Sequence, residues 1–169
     1  MEVFDAIITR RSIRKFINKE VDPEIVKKLL KAAMYAPTAN NYQSWQFLVI
    51  NDRKILNEIP KVHPYSKMLH EATLAILVCG DENYEKIEGY NVTTCVAATQ
   101  NLLLAAHSLG LGTCWLGIYP REVRMKPIIH LFKLPQNIIP VTLIAIGYPN
   151  ETKETPERFK PERIHYNKW

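Results

Sequence analysis

The chain is poor in cysteine, with only Cys79, Cys95 and Cys114 among 169 residues. They are odd in number, widely spaced and set in apolar stretches, so a disulfide framework, a paired-cysteine metal site and a Cys-x-x-Cys redox pair are all excluded. They read as buried thiols acting as small hydrophobes in a reducing compartment. The five histidines show no ligand spacing, such as two histidines one helical turn apart flanking a glutamate, and no metal is expected. No basic n-region precedes an apolar core at the start, where Glu2 and Asp5 are followed at once by arginines, and a cytoplasmic location is expected. No membrane span is expected either: the most apolar stretch, 89–109, is interrupted by Thr93, Thr94, Gln100, Asn101 and His107. Internal repeats and low-complexity tracts are missing.

What is present suits one soluble domain spanning 1–169, with 47% apolar and 23% charged residues. The net charge of +5 permits an anionic ligand without identifying it. The most concentrated chemistry is Arg10-Arg11-Ser12-Ile13-Arg14-Lys15-Phe16, which follows an apolar run (Val3, Phe4, Ile7, Ile8) that reads as helical. Arginine grips phosphate oxygens with a planar fork, and a serine hydroxyl adds a donor. If the segment is extended, Arg10, Ser12 and Arg14 line one face and one pocket. A solvated basic turn is the plain alternative. Nucleic acid and anionic membrane are not expected as partners, because the cluster is short and isolated.

Asp22-Pro23-Glu24 starts a helix, with Asp as cap and Pro in the first turn, and Ile25, Val26, Leu29, Leu30, Ala33 and Met34 recur at helical spacing before Pro37. The loop Ala36 to Ser44 is dominated by small and amide residues that can both donate and accept. Trp45, Phe47 and Val49 alternate as a strand does. Residues 52–71 show weaker helical patterns broken by Pro60 and Pro64. Residues 73–79 read as a strand buried on both faces. The helix over 89–109, apolar nearly all round, needs cover on every side, part of it from a second subunit.

Gly110 then suits a helix C-cap. Gly112 and Gly117 remain, but Trp115 stands where a dinucleotide fingerprint needs its third glycine, and a P-loop is absent. A helical segment from Pro120 to about Phe132 and a strand over 138–147, entered after proline, complete the domain. The tail 150–169 ends in Ile164, Tyr166 and Trp169, an apolar alternation that suggests a docking arm.

The ordered set Arg-Arg-Ser-Ile-Arg (10–14), Ala-Pro-Thr-Ala-Asn-Asn-Tyr-Gln-Ser-Trp-Gln-Phe (36–47), Gly-Leu-Gly-Thr-Cys-Trp-Leu-Gly (110–117) and Glu-Arg-Phe-Lys (157–160) resembles the FMN-dependent nitroreductases over almost the whole chain. The resemblance implies an α+β fold, with a central mixed sheet flanked by helices, in an intertwined homodimer with FMN at the interface and the arm 150–169 on the partner. It implies that Arg10 and Ser12, with Arg11 beside them and Arg158 from the tail, hold the phosphate, and that Arg14 sits at the ribityl chain and pyrimidine edge. Pro37, Thr38, Ala39 and Asn41, with Gln43 and Trp45 shaping the loop, lie along the cofactor. Cys114, Trp115, Leu116 and Gly117 run beside the ring, with the amide of Leu116 or Gly117 donating to N5. Larger relatives often carry an acid where Leu116 stands, and an Asn and a Lys that have no counterpart in 52–71. The implied activity is hydride transfer from NADH or NADPH through flavin N5 to a nitroaromatic or quinone, without a dedicated catalytic acid or nucleophile. A non-catalytic FMN store or sensor is the alternative.

Overall fold

A computed structural model describes residues 1–169. Five α-helices (α1 Val3–Thr9, α2 Pro23–Met34, α3 Arg53–Val62, α4 Glu88–Ser108, α5 Glu122–Phe132) surround a sheet of five strands (β1 Phe16–Ile17, β2 Trp45–Ile50, β3 Leu74–Asp81, β4 Gly112–Gly117, β5 Ile138–Pro149). No helix is long and apolar enough to cross a membrane.

The longest strand, β5, is the centre of the sheet. β3 pairs along one of its edges, while β4 and then β1 pair along the other, and β2 closes the far side of β3. Every ladder is antiparallel, so the mixed character expected of the sheet is confined to one isolated parallel bridge between Ser12 and Thr113. The reason is that β3 and β4, which run the same way, are held apart by β5 and never pair with each other. Pro140 lies inside β5, where the register shifts between Val78 and Cys79. A bulge is a place where a missing ladder donor is tolerated.

Alternation along the strands divides the core in two. Leu74, Ile76 and Val78 of β3 face the layer of α2 and α4, joining Leu29, Ala33, Leu102 and Ala106. Ala75, Leu77 and Cys79 face α3 and α5, joining Leu56, Ile59 and Ile128. A strand buried on both faces must be apolar at every position, which is why β3 reads as one continuous run. Cys114 and Leu116 of β4 point into the α3–α5 layer, and Trp115 packs on the other side.

Local chemistry sets the boundaries. The Asp22 carboxylate accepts from the Glu24 amide at 2.7 Å and opens α2. The Asp52 carboxylate likewise caps α3, accepting from the amides of Lys54 and Ile55. Gly110, at φ +78°, ends α4 in the left-handed conformation that glycine adopts without strain. The Arg53 guanidinium donates to the carbonyls of Leu69, His70 and Ala72, pinning the turn after α3 to that helix.

Candidate functional site

The basic segment leaves α1 as extended chain. The Ile13 amide donates to the Thr113 carbonyl at 2.8 Å, the Arg14 amide to Glu151 Oε1 at 2.6 Å and the Phe16 amide to Glu71 Oε2 at 2.9 Å. Ile13 and Phe16 turn inward over two glycines. A Cβ on Gly112 would lie 2.8 Å from Ile13 Cγ2, and one on Gly147 would lie 2.9 Å from Phe16 Cδ1. These approaches lay the segment flat on the sheet edge and leave the arginines outside. The Glu151 carboxyl is held below the usual carboxylate range, first by the Arg14 amide and then by Lys153.

Arg10 and Arg14 open into two adjoining concavities, not the single pocket expected from their spacing. Arg10 faces a hollow of about 330 Å³ with Arg11, His107, Thr113 and Lys153. Its guanidinium is pushed below the usual arginine range by burial, then by the charges of Arg11 and Arg158, and no carboxylate neutralises it. Arg11 is engaged otherwise: its guanidinium donates to the carbonyls of Glu154, Arg10 and Ile8, tying the end of α1 to the tail. Thr9 Oγ1 donates to the Asp5 carbonyl, so its oxygen accepts from His107 Nε2 at 2.8 Å. Burial, then Arg10 and Arg11, lower the pKa of that histidine.

Arg14 faces a cleft of about 460 Å³ at the end of β4, where Cys114, Trp115, Leu116 and Gly117 form one wall. Sequence reasoning missed the other wall: His63, Tyr65 and Lys67 from the turn after α3, and Arg124 from α5. The Gly117 carbonyl accepts from Arg124 Nη1 at 2.7 Å and from His63 Nε2 at 3.2 Å. Since a carbonyl only accepts, Nε2 carries the histidine proton. His63 is 1% exposed, and its Nδ1 has no partner. Burial lowers its pKa, the Gly117 carbonyl partly offsets this, and Arg124 lowers it further. The guanidinium carbon of Arg124 sits 5.0 Å from the centroid of the Tyr65 ring.

The loop at 37–43 is strongly shaped but lines neither concavity. Asn40, Asn41 and Gln43 adopt positive φ, the Gln43 amide donates to Thr38 Oγ1 at 3.3 Å, and Gln43 Nε2 donates to Asn41 Oδ1 at 3.0 Å. Within one chain the structure therefore brings together Arg10, Arg14, the 114–117 strand and, through its charge, Arg158. It leaves Pro37, Thr38, Ala39, Asn41 and Gln43 apart.

Residues 7–63 and 59–148 match the sequence pattern of the Nitroreductase family. The chain belongs to that family. A protein of Methanothermobacter thermautotrophicus, provisionally named an NADH dehydrogenase/NAD(P)H nitroreductase, is 49% identical over 169 residues, covering 100% of this chain and 88% of the relative. A crystal structure from Clostridium acetobutylicum, provisionally named an NADH oxidase, superposes with a TM-score of 0.93 at 41% identity, covering 98% of this chain and 100% of the other. A nitroreductase from Desulfovibrio desulfuricans, provisionally so named and solved in complex with FMN, superposes at 0.89 with 31% identity over 100% and 98% of the two chains. Nitroreductase membership thus rests on the whole chain, and the antiparallel sheet between two helical layers is the family's fold.

Proposed function

We propose that the protein is an NAD(P)H-dependent FMN oxidoreductase of the cytoplasm, acting as a homodimer on a small electrophilic acceptor such as a nitroaromatic or a quinone. The observation that carries this reading is the cationic group formed by Arg10, Arg11 and Arg158, unneutralised within the chain and adjoining the cleft of Arg14. An elongated ligand with an anionic end and a planar end fits that arrangement. Four extended residues put the two arginines roughly 13 Å apart.

When bound, FMN supplies the two-electron chemistry, accepting hydride from the nicotinamide and delivering it to the acceptor. The chain's own part is positioning and charge. Arg10, Ser12 and Arg158 hold the phosphate, with Arg11 bracing the turn that carries them. Arg14 offsets the negative charge that reduction leaves at the pyrimidine edge. Cys114, Trp115, Leu116 and Gly117 flank the ring, and the amide of Leu116 or Gly117 donates to N5. The two donors on the Gly117 carbonyl keep that backbone from shifting. Pro37, Thr38, Ala39, Asn41 and Gln43 reach the cofactor of the partner subunit, consistent with their separation from the cleft of their own chain.

The dimer reading is supported by apolar surface that one chain leaves open. Phe4 of α1 is 71% exposed, and Phe159 and Tyr166 of the tail are similarly bare, with Trp169 fully exposed. The deciding experiment is the visible spectrum of the purified protein, then anaerobic titration with NADH and with NADPH. Prompt bleaching of a yellow protein, with colour restored by a nitroaromatic or quinone, is expected. Yellow colour without bleaching would point to an FMN store or sensor, and a protein left colourless after FMN addition would end the proposal.

A further inference from the structure

Two buried oxygens at the start of α4 have no donor, and they belong to residues that touch. Glu85 is 4% exposed and Asn91 is fully buried. Asn91 Nδ2 donates to the Glu85 carbonyl at 3.1 Å, and because a carbonyl only accepts, that bond fixes which way round the amide sits. Asn91 Oδ1 is left without a partner, packed so closely on Gly80 that a Cβ there would collide with it. Glu85 Oε1 accepts from the Ile87 amide at 2.8 Å, just ahead of α4, while Oε2 is buried with no partner. Charge is out of balance at the same place. The Glu85 amide donates to the Asp81 carbonyl, so the turn between β3 and α4 carries two buried carboxylates. Asp81 is served by three neutral donors, the Asn83 amide and Asn137 Nδ2 on Oδ1 and Gln46 Nε2 on Oδ2, whereas Glu85 has one. The chain's ion pairs are Lys61–Glu58, Lys126–Glu122 and Lys153–Glu151, so no side-chain cation answers Glu85.

We infer that Glu85 Oε2 and Asn91 Oδ1 are ligands of a monovalent cation, sodium, potassium or ammonium, seated between the 81–85 turn and the first turn of α4. A buried carboxylate is costly unless it is paired or holds a cation. Water could donate to both oxygens, but it would leave the charge uncompensated. The donor set is oxygen only, which selects hard cations over metals that seek thiolate or imidazole. One carboxylate and one amide oxygen fall short of the six to eight oxygens that calcium takes, and magnesium demands a near-octahedral set. A single uncompensated charge is balanced by a single positive one. Bound there, the cation clamps the turn leaving β3 onto α4, the helix that covers one face of the sheet.

Thermal unfolding of the full chain in choline chloride, progressively replaced by sodium, potassium or ammonium chloride at one ionic strength, tests the site and selects the ion. At least one small cation is expected to raise Tm, by roughly 3–5 °C for each tenfold in concentration above its dissociation constant. Glu85→Gln should abolish that rise and lose nothing in choline, because its Nε2 supplies the donor that Asn91 Oδ1 lacks. A Tm that is the same in all four salts, or a rise that survives in Glu85→Gln, would overturn the site. Should the variant not fold, a crystal of the unsubstituted protein grown in the stabilising cation decides. An ion bonded to both oxygens bears the site out, whereas water alone, or a side chain of a second copy, in that position rules it out.

Discussion

Gly112 has no room for a side chain. A methyl group there would press on Ile13 at both Cβ and Cγ2, and Ile13 is flanked by Ser12 and Arg14. Gly112→Ala is expected to cost about 1–3 kcal/mol, read from the denaturant midpoint, and to weaken FMN binding, because the displaced segment carries the candidate phosphate and pyrimidine contacts. Arg14→Ala tests the proposed charge role: flavin affinity and reduction rate should both fall, and no change in either would remove Arg14 from that role. His63 makes a prediction with a definite sign. Its native pKa lies below that of the unfolded chain, so the unfolded state takes up a proton that the native state refuses. Its share of stability is therefore intact above the unfolded value of about 6.5 and is lost progressively as pH falls from there toward the lower native pKa. Between pH 7.5 and 5.5 the Tm of His63→Gln should fall less steeply than that of the unsubstituted protein, even if it starts lower for loss of the Gly117 contact.

Among the elements, the turn after α3 depends on one side chain. Arg53 donates to three carbonyls there, at 2.7, 3.2 and 2.6 Å. Arg53→Ala should cost about 2–3 kcal/mol and speed amide exchange over residues 66–72, loosening the wall that carries His63, Tyr65 and Lys67. The long elements were legible from periodicity: β3 from its unbroken apolar run, α2 from its Asp-Pro start, α4 from its all-round apolarity. Residues 53–62 were not, because Pro60 breaks the helical pattern without breaking the helix. It falls in the last turn of α3, where the single i→i−4 bond that its missing N–H forgoes leaves the preceding turns of the helix intact. The candidate site divides the same way. The arginine segment and the 110–117 stretch are contiguous and could be recognised, whereas His63, Lys67 and Arg124 meet only because α3 and α5 pack side by side across the end of β4.

For the whole molecule, the open apolar residues of α1 and the tail predict a particle of twice 19.5 kDa. Light scattering after gel filtration should give that mass, and removing residues 150–169 should shift it toward one chain and reduce flavin retention, because Arg158 leaves with the tail. A monomer that still holds FMN would count against a cofactor site shared between subunits.

All three thiols are buried, Cys79 and Cys114 on strands of the sheet and Cys95 on α4. Burial pushes Cys95 up to about 12 and raises Cys79 further in the same direction, with Cys95 adding to it. Cys114, on the cleft wall, is also raised by burial, with Arg14 and Arg10 pulling it partly back. Only a thiolate attacks soft carbon electrophiles. A chain whose thiols stay protonated can admit arylating compounds to its cleft turnover after turnover without being consumed by them, and iodoacetamide should label it only after denaturation.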